Sequence, residues 1–293
     1  MESAYLNTTV TSRTKLFVLG GEGGPVTRSI APDDVPALGL GTWRLTDDTA
    51  TGVVAEAVET GYRHVDTAQL YDNERAVGRG LRRADTDPED VFLATKAAPE
   101  NCSYEDCVAS VRASAERLGR TPDLVYVHWP RAAYDPAETT RALDSLVEED
   151  TTRAVGVSNF TVDLLDEFTE HADHSPVANQ FECHPLLPQD DLVAACHERD
   201  VLPVAYSPVA RGKALEHPVV QAVAEETGAT PGQVCLAWLR ARDVAAIPKT
   251  TGGHLQENFE AGDLTLTDDR AERLSSIEER HRCVDPPSAP WDR

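Results

Sequence analysis

Asp66, Tyr71, Lys96 and His128 are the residue types that together deliver a proton to a reducible oxygen. Reducing a carbonyl requires a hydride at carbon and a proton at oxygen. A tyrosine phenol titrates near ~10 and is a weak acid around neutrality. A neighbouring ammonium stabilises the phenolate and lowers that value. Lys96 is the expected source, with Asp66 holding it as a buried ion pair and His128 hydrogen-bonding and orienting the carbonyl oxygen. Alone, each has an ordinary structural explanation: Tyr71 as an amphipathic surface residue, Lys96 as a solvated strand end, His128 as a hydrogen-bonded core histidine. Together each meets a need of the others. A positioned acid of this kind contributes roughly 10²–10⁴-fold, and the rest comes from alignment and polarisation of the carbonyl.

These residues need a frame that brings them to one place. From about residue 35 onward, short β-branched runs alternate with amphipathic stretches. The runs predict strands at 37–41, 64–68, 91–96, 124–129, 154–158, 177–182, 202–206 and 245–248. Helices are predicted at 48–60, 74–83, 104–118, 137–149, 162–170, 189–199 and 231–242. Thr230-Pro231 opens the last helix as N-cap and N1 proline. Eight strands alternating with helices indicate a parallel sheet, and the 293 residues suit one (β/α)₈ barrel of typically ~250 residues. A doubly wound open sheet is the rival, weakened by the lack of a GxGxxG after the first strand. In the barrel, Asp66, Lys96 and His128 sit at C-terminal strand ends, and Tyr71 in the loop after the second strand. Residues 1–25 read as a flexible extension and 26–293 as the single barrel domain. The glycines at 20–24 have the wrong spacing for a nucleotide loop, and Pro25 stands where a helix would begin. Residues 27–37, with a turn at 31–34, are expected to form a hairpin capping the barrel floor.

The segment Gly61-Tyr62-Arg63-His64-Val65-Asp66-Thr67-Ala68-Gln69-Leu70-Tyr71 resembles the first signature of the aldo-keto reductase family. Val91-Phe92-Leu93-Ala94-Thr95-Lys96 is similar to the strand carrying that family's lysine, and Asp123-Leu124-Val125-Tyr126-Val127-His128-Trp129-Pro130 to the strand carrying its histidine. The resemblance covers about residues 27–290 and is to the prokaryotic type, such as the 2,5-diketo-gluconate and aldehyde reductases. It implies an NAD(P)H-dependent oxidoreductase that reduces aldehydes or ketones, sugar or keto-acid carbonyls among them, with Asp66, Tyr71, Lys96 and His128 as the catalytic tetrad.

The resemblance also implies a cofactor site. Ser158, Asn159 and Gln180 would hold the nicotinamide carboxamide, and Tyr206 would stack on the ring, as an aromatic face can. Thr42, Asp66 and Ser207 belong to the same set. Ile247-Pro248-Lys249-Thr250 resembles the segment gripping the 2′-phosphate, and Glu257 and Asn258 match adenine contacts. A lysine beside a hydroxyl and a helix N-terminus suits a phosphate. His254 stands where the family usually has an arginine, and histidine lacks the bidentate fork and is largely neutral at pH 7. NADPH is therefore the expected cofactor, with NADH the alternative. Trp43, Tyr71, His128 and Trp129 would line an aromatic substrate pocket, although both tryptophans also suit an ordinary core. Arg211 and Lys213 read either as solvated loop cations or as attractors of an acidic substrate.

Two other readings compete: a cofactor-binding regulatory module on the same fold, like the family's channel-associated β-subunits, and a phosphate-handling barrel lyase or isomerase. The second would lack the tyrosine–lysine–histidine set and the Gly156-Val157-Ser158-Asn159-Phe160 motif.

Composition narrows the partners. Fifty acidic against 27 basic residues leave a formal charge of −23, against the basic footprint that nucleic acid or an anionic membrane needs. No apolar run reaches transmembrane length, and no signal-peptide pattern opens the chain, so a cytoplasmic enzyme is expected. A monomer and a small-molecule partner are expected too. Without a secretory signal, Asn7-Thr8-Thr9 is a chance sequon. Six cysteines form neither a CxxC pair nor a Cys/His cluster at zinc spacing, so reduced thiols and no metal are expected. The only lysines are Lys15, Lys96, Lys213 and Lys249. A surface this acidic and lysine-poor stays hydrated where salt screens its self-repulsion, which points to a salt-rich medium. Stability and activity are therefore expected to rise from dilute buffer to molar KCl; a flat response would refute salt adaptation.

Overall fold

The computed structural model of the protein describes residues 30–292. The sequence readings on residues 1–29, the glycine-rich segment and sequon included, lie outside them. Eight strands alternate with helices: β1 (Leu40–Gly41), α1 (Asp47–Thr60), β2 (His64–Asp66), α2 (Glu74–Arg83), β3 (Phe92–Ala97), α3 (Tyr104–Leu118), β4 (Leu124–Val127), α4 (Pro136–Glu148), β5 (Ala154–Ser158), α5 (Val162–His171), β6 (Ala178–Glu182), α6 (Asp190–Glu198) and β7 (Leu202–Tyr206). Two helices, α7 (Pro218–Thr227) and α8 (Pro231–Arg240), precede β8 (Ala245–Ala246); α9 (Leu255–Glu260) and α10 (Asp268–Ser275) follow it. Neighbouring strands pair in parallel in the order β1 to β8. A parallel bridge between Leu38 and Ala246 then closes the (β/α)₈ barrel.

Strand chemistry explains the layers. Strands such as Leu124-Val125-Tyr126-Val127 are buried throughout, as a parallel sheet covered on both faces requires. One set of side chains, including Ala94, Leu124, Tyr126, Ala178, Val204 and Ile247, fills the barrel. The other set meets the surrounding helices. Helix ends carry the expected chemistry: Thr230 and Gln233 form a reciprocal capping box ahead of Pro231, and α4 starts on Asp135, which accepts from the Glu138 amide at 3.0 Å.

The seam depends on glycine. Gly39 N–H donates to the Ala246 carbonyl at 2.9 Å and Gly41 N–H to the Pro248 carbonyl at 3.1 Å. A Cβ at position 41 would lie 2.7 Å from the Ile247 oxygen, so a side chain there would hold the strands apart.

A 3₁₀ turn over Pro32–Asp34 occupies the turn expected at 31–34. The first arm of the expected hairpin falls on residues 27–29, outside the described residues. Ile30 and Val35, on either side of the turn, insert among the interior side chains. β1 and β8 are shorter than their apolar runs, although Gly41 N–H still reaches the Pro248 carbonyl beyond β8. No helix among the described residues is long and apolar enough to cross a membrane.

Candidate active site

The register of the strands gathers the predicted chemistry at one end of the barrel. Asp66 is the last residue of β2, Lys96 lies next to last in β3, and His128 directly follows β4. Lys96 and Asp66 are both fully buried and form a close ion pair. Lys96 Nζ also donates to the Thr67 carbonyl at 2.9 Å. The second carboxylate oxygen of Asp66 accepts from Gln180 Nε2 at 2.8 Å, and so ties β6 to β2.

Tyr71 ends a 3₁₀ turn, Gln69–Tyr71, which stops at Asp72 in a left-handed conformation. Its half-buried ring lies 5.1 Å from Lys96 Nζ and edge-on to His128, with centroids 5.7 Å apart. Two residues not singled out in the sequence position this turn. Gln69 Oε1 accepts from Ala98 N and Asn101 Nδ2, both at 2.9 Å, which fastens the turn to the loop after β3. Asn73 donates to the Thr42 and Leu45 carbonyls and accepts from Thr67 Oγ1 at 2.7 Å. Their polar types at a loop tip were the available signal. Beneath them Gly156 leaves room for the Tyr126 ring, since a Cβ there would come within 2.8 Å of it. That ring lies 5.9 Å from Lys96 Nζ.

The expected set around the nicotinamide position is also assembled. Asn159, at φ 64°, donates to the His128 carbonyl at 3.0 Å and accepts from the Tyr206 hydroxyl at 2.8 Å. Ser158 Oγ donates to the Gln180 carbonyl at 2.8 Å, and Thr42 Oγ1 to the Asp66 carbonyl at 2.9 Å. Ser207 turns the chain out of β7 at φ 50°. A second group follows β8: exposed Lys249, buried Thr250 accepting from the Gly252 amide at 3.2 Å, and buried Asn258 on α9. Glu257 has both carboxylate oxygens engaged, by Thr230 Oγ1 at 2.6 Å and exposed His254 at 2.9 Å. The Thr230 hydroxyl, then His254, hold its carboxyl below the ordinary range. Trp43 is 36% exposed, whereas Trp129 is buried against Trp291. Of the two cations after β7, Lys213 pairs with Glu279 at 3.0 Å, and Arg211 rests on the Trp43 ring.

The fold also brings Glu182, His184 and Cys283 together, a grouping that sequence spacing did not show. Glu182 accepts from His184 Nε2 at 2.9 Å and from the amides of Cys283 and Val284 at 2.6 and 2.8 Å. This clamps the C-terminal segment onto the end of β6.

Electrostatics correct one expectation. Burial, then the charge of Asp66, push the Tyr71 phenol above its ordinary value rather than below it. Asp66 neutralises Lys96 locally, so the ammonium does not act as a bare cation. Lys96 is pushed down by burial, with Asp66 opposing that shift. The His128 imidazole is driven well below its usual range by burial, Lys96 and Arg131, and its Nδ1 is buried without a hydrogen bond. His64, fully buried, is also lowered, first by burial. Both imidazoles take up protons more readily in the unfolded chain, whose value is near ~6.5, so their contribution to stability is lost as pH falls below that. The unfolding free energy is expected to decline between pH 7 and pH 5, and His128→Asn to flatten part of the slope by up to ~1.4 kcal/mol per pH unit. Denaturant titrations at several pH values give the slope; an unchanged one would contradict the buried neutral imidazole.

Comparisons with known proteins agree with this geometry. The profile of the aldo/keto reductase family matches residues 37–279. The chain is 37% identical over 254 residues to a 9,11-endoperoxide prostaglandin H2 reductase of Trypanosoma cruzi, covering 85% of this chain and 89% of that protein. It is 35% identical over 267 residues to a methylglyoxal reductase of Escherichia coli, covering 88% and 99%. Among solved structures, an aldo-keto reductase from a deep-sea metagenome of the Medee basin superposes with a TM-score of 0.82 at 31% identity, covering 86% of this chain and 94% of that one. The aldose reductase of Giardia lamblia gives 0.81 at 30%, covering 88% and 97%. With its barrel, its buried lysine–aspartate pair and these relatives, the chain belongs to the aldo/keto reductase family and is an oxidoreductase.

Proposed function

We propose that the protein reduces aldehydes and ketones to alcohols with NADPH, and that Tyr71 donates the proton to the carbonyl oxygen. The observation carrying this reading is the Tyr71 ring, 5.1 Å from a fully buried ammonium and edge-on to His128. Burial keeps the phenol protonated until reaction, so the acid is loaded when substrate arrives. As the proton leaves, the Lys96 charge stabilises the phenolate. Asp66 favours the charged lysine against the desolvation that would neutralise it. His128 stays neutral and can donate one hydrogen bond to the substrate oxygen, placing it for Tyr71.

The residues suit a dinucleotide. Tyr206 has its hydroxyl fixed by Asn159, which holds the ring in one orientation for stacking. Lys249 stands exposed and makes no ion pair among the described residues, although acidic groups outnumber basic ones almost two to one. A 2′-phosphate would supply the missing anion, and Thr250 lies beside it. When bound, the reduced nicotinamide supplies the hydride. His254, tied to Glu257, adds less to phosphate binding than an arginine fork would.

Two measurements test these assignments. Tyr71→Phe is expected to lower reduction by about 10²–10⁴-fold while cofactor affinity, read by fluorescence titration, stays essentially unchanged. Retained activity would refute Tyr71 as the acid. The wild type is expected to show a higher kcat/KM with NADPH than with NADH, and Lys249→Met to remove that preference by weakening NADPH alone. Equal or better turnover with NADH would refute NADPH as the cofactor.

A further inference from the structure

Among the described residues, the side chains of six arginines make neither an ion pair nor a hydrogen bond: Arg44, Arg75, Arg83, Arg131, Arg211 and Arg282. In a chain of charge −23 that leaves cations unneutralised where carboxylates are abundant. Four of the six stack on tryptophans at the mouth of the site. Arg44 and Arg211 lie 4.2 and 4.9 Å from the Trp43 ring centre. They follow Thr42 and Ser207 in the chain, residues of the expected cofactor set. Arg131 lies 5.2 Å from the Trp129 centre and Arg282 4.1 Å from that of Trp291. Those two rings touch, with centroids 5.9 Å apart, and Trp129 directly follows His128. Arg131 and Arg282 therefore lie on the substrate side.

Arg282 carries the stronger evidence. Its Nη1 is shut off from solvent and hydrogen-bonded to nothing. A buried donor without an acceptor is a cost that a ligand oxygen would remove. Its backbone is held in place, because the next two amides, of Cys283 and Val284, are locked on Glu182. Glu182 is fully engaged by those amides and by His184, and pairs with no arginine. The Arg282 charge also reaches Tyr206, whose phenol is raised by burial and then by Glu182, with Arg282 opposing that shift. A guanidinium over an indole face spends none of its N–H donors on the ring, and its planar fork fits a carboxylate or phosphate.

We propose that Arg282 is the anion-binding residue of the substrate site, so that the preferred substrates are carbonyl compounds bearing a carboxylate or phosphate. Arg131, over the Trp129 ring of the same tryptophan pair, adds a second cation. The assignment rests on the reductase reading above and adds the substrate class to it.

Steady-state kinetics with 4-oxobutanoate, glyceraldehyde 3-phosphate and neutral butanal test it, in the wild type, Arg282→Gln and Arg282→Lys. The wild type is expected to favour at least one anionic aldehyde over butanal, and which one tells carboxylate from phosphate. Arg282→Gln is expected to lower kcat/KM for that aldehyde by about 10- to 100-fold, chiefly through KM, the scale of one charged hydrogen bond. Butanal turnover and cofactor KM stay level, and Arg282→Lys restores part of the loss. A wild type indifferent to charge overturns the proposal, as does an Arg282→Gln loss shared equally by butanal, which would mark a purely structural tail residue. If no carbonyl is turned over with either cofactor, the reductase reading falls and this inference with it.

Discussion

The buried contact between Lys96 and Asp66 is the constraint on which the rest of the site depends. Two charges removed from water are tolerated only when their remaining donors and acceptors are satisfied. Here the Thr67 carbonyl takes a second lysine proton, and Gln180 donates to the second carboxylate oxygen. Those partners come from β2, β3 and β6, so one ion pair fixes the relative placement of three strands and of the loop that carries Tyr71. The pair also separates two functions of charge. Asp66 opposes the downward pull of burial on Lys96, and adds to the upward pull of burial on Tyr71.

A second level of organisation keeps the loop in place. Tyr71 stands on a single turn of 3₁₀ helix, which has little stability of its own. Gln69 and Asn73 convert that turn into part of the barrel by satisfying backbone groups of two neighbouring loops. Tyr71 is thus placed by the amide side chains of Gln69 and Asn73.

Most of the frame was legible in the sequence because burial on both faces writes continuous apolar runs, and 3.6-residue periodicity marks the surrounding helices. The helix Glu74–Arg83 and the strand Leu202–Tyr206 match the reading residue for residue. The misses have physical causes. Pro218–Thr227 is a short helix adjoining another, with no strand between to announce it. At the site, the residue types of the tetrad were legible, but the sign of the Tyr71 shift follows from burial first and the nearby Asp66 charge second, which only the folded chain sets. The cluster of Glu182, His184 and Cys283 was invisible because about a hundred residues separate its parts.

The glycine seam has a consequence for the relation between binding and folding. Three backbone hydrogen bonds join the two ends of the barrel, the last of them from Gly41 to Pro248, and each of these two residues is followed by a loop that faces the same end: Thr42 and Trp43 on one side, Lys249 and Thr250 on the other. The barrel closes there through backbone contacts of its first and last strands. A dinucleotide long enough to touch both loops would act as a staple across that junction, and its affinity would add to the cohesion of the closed ring. In such a molecule the cofactor is a structural strut as well as a reagent, and the fold is most complete when it is ready to react.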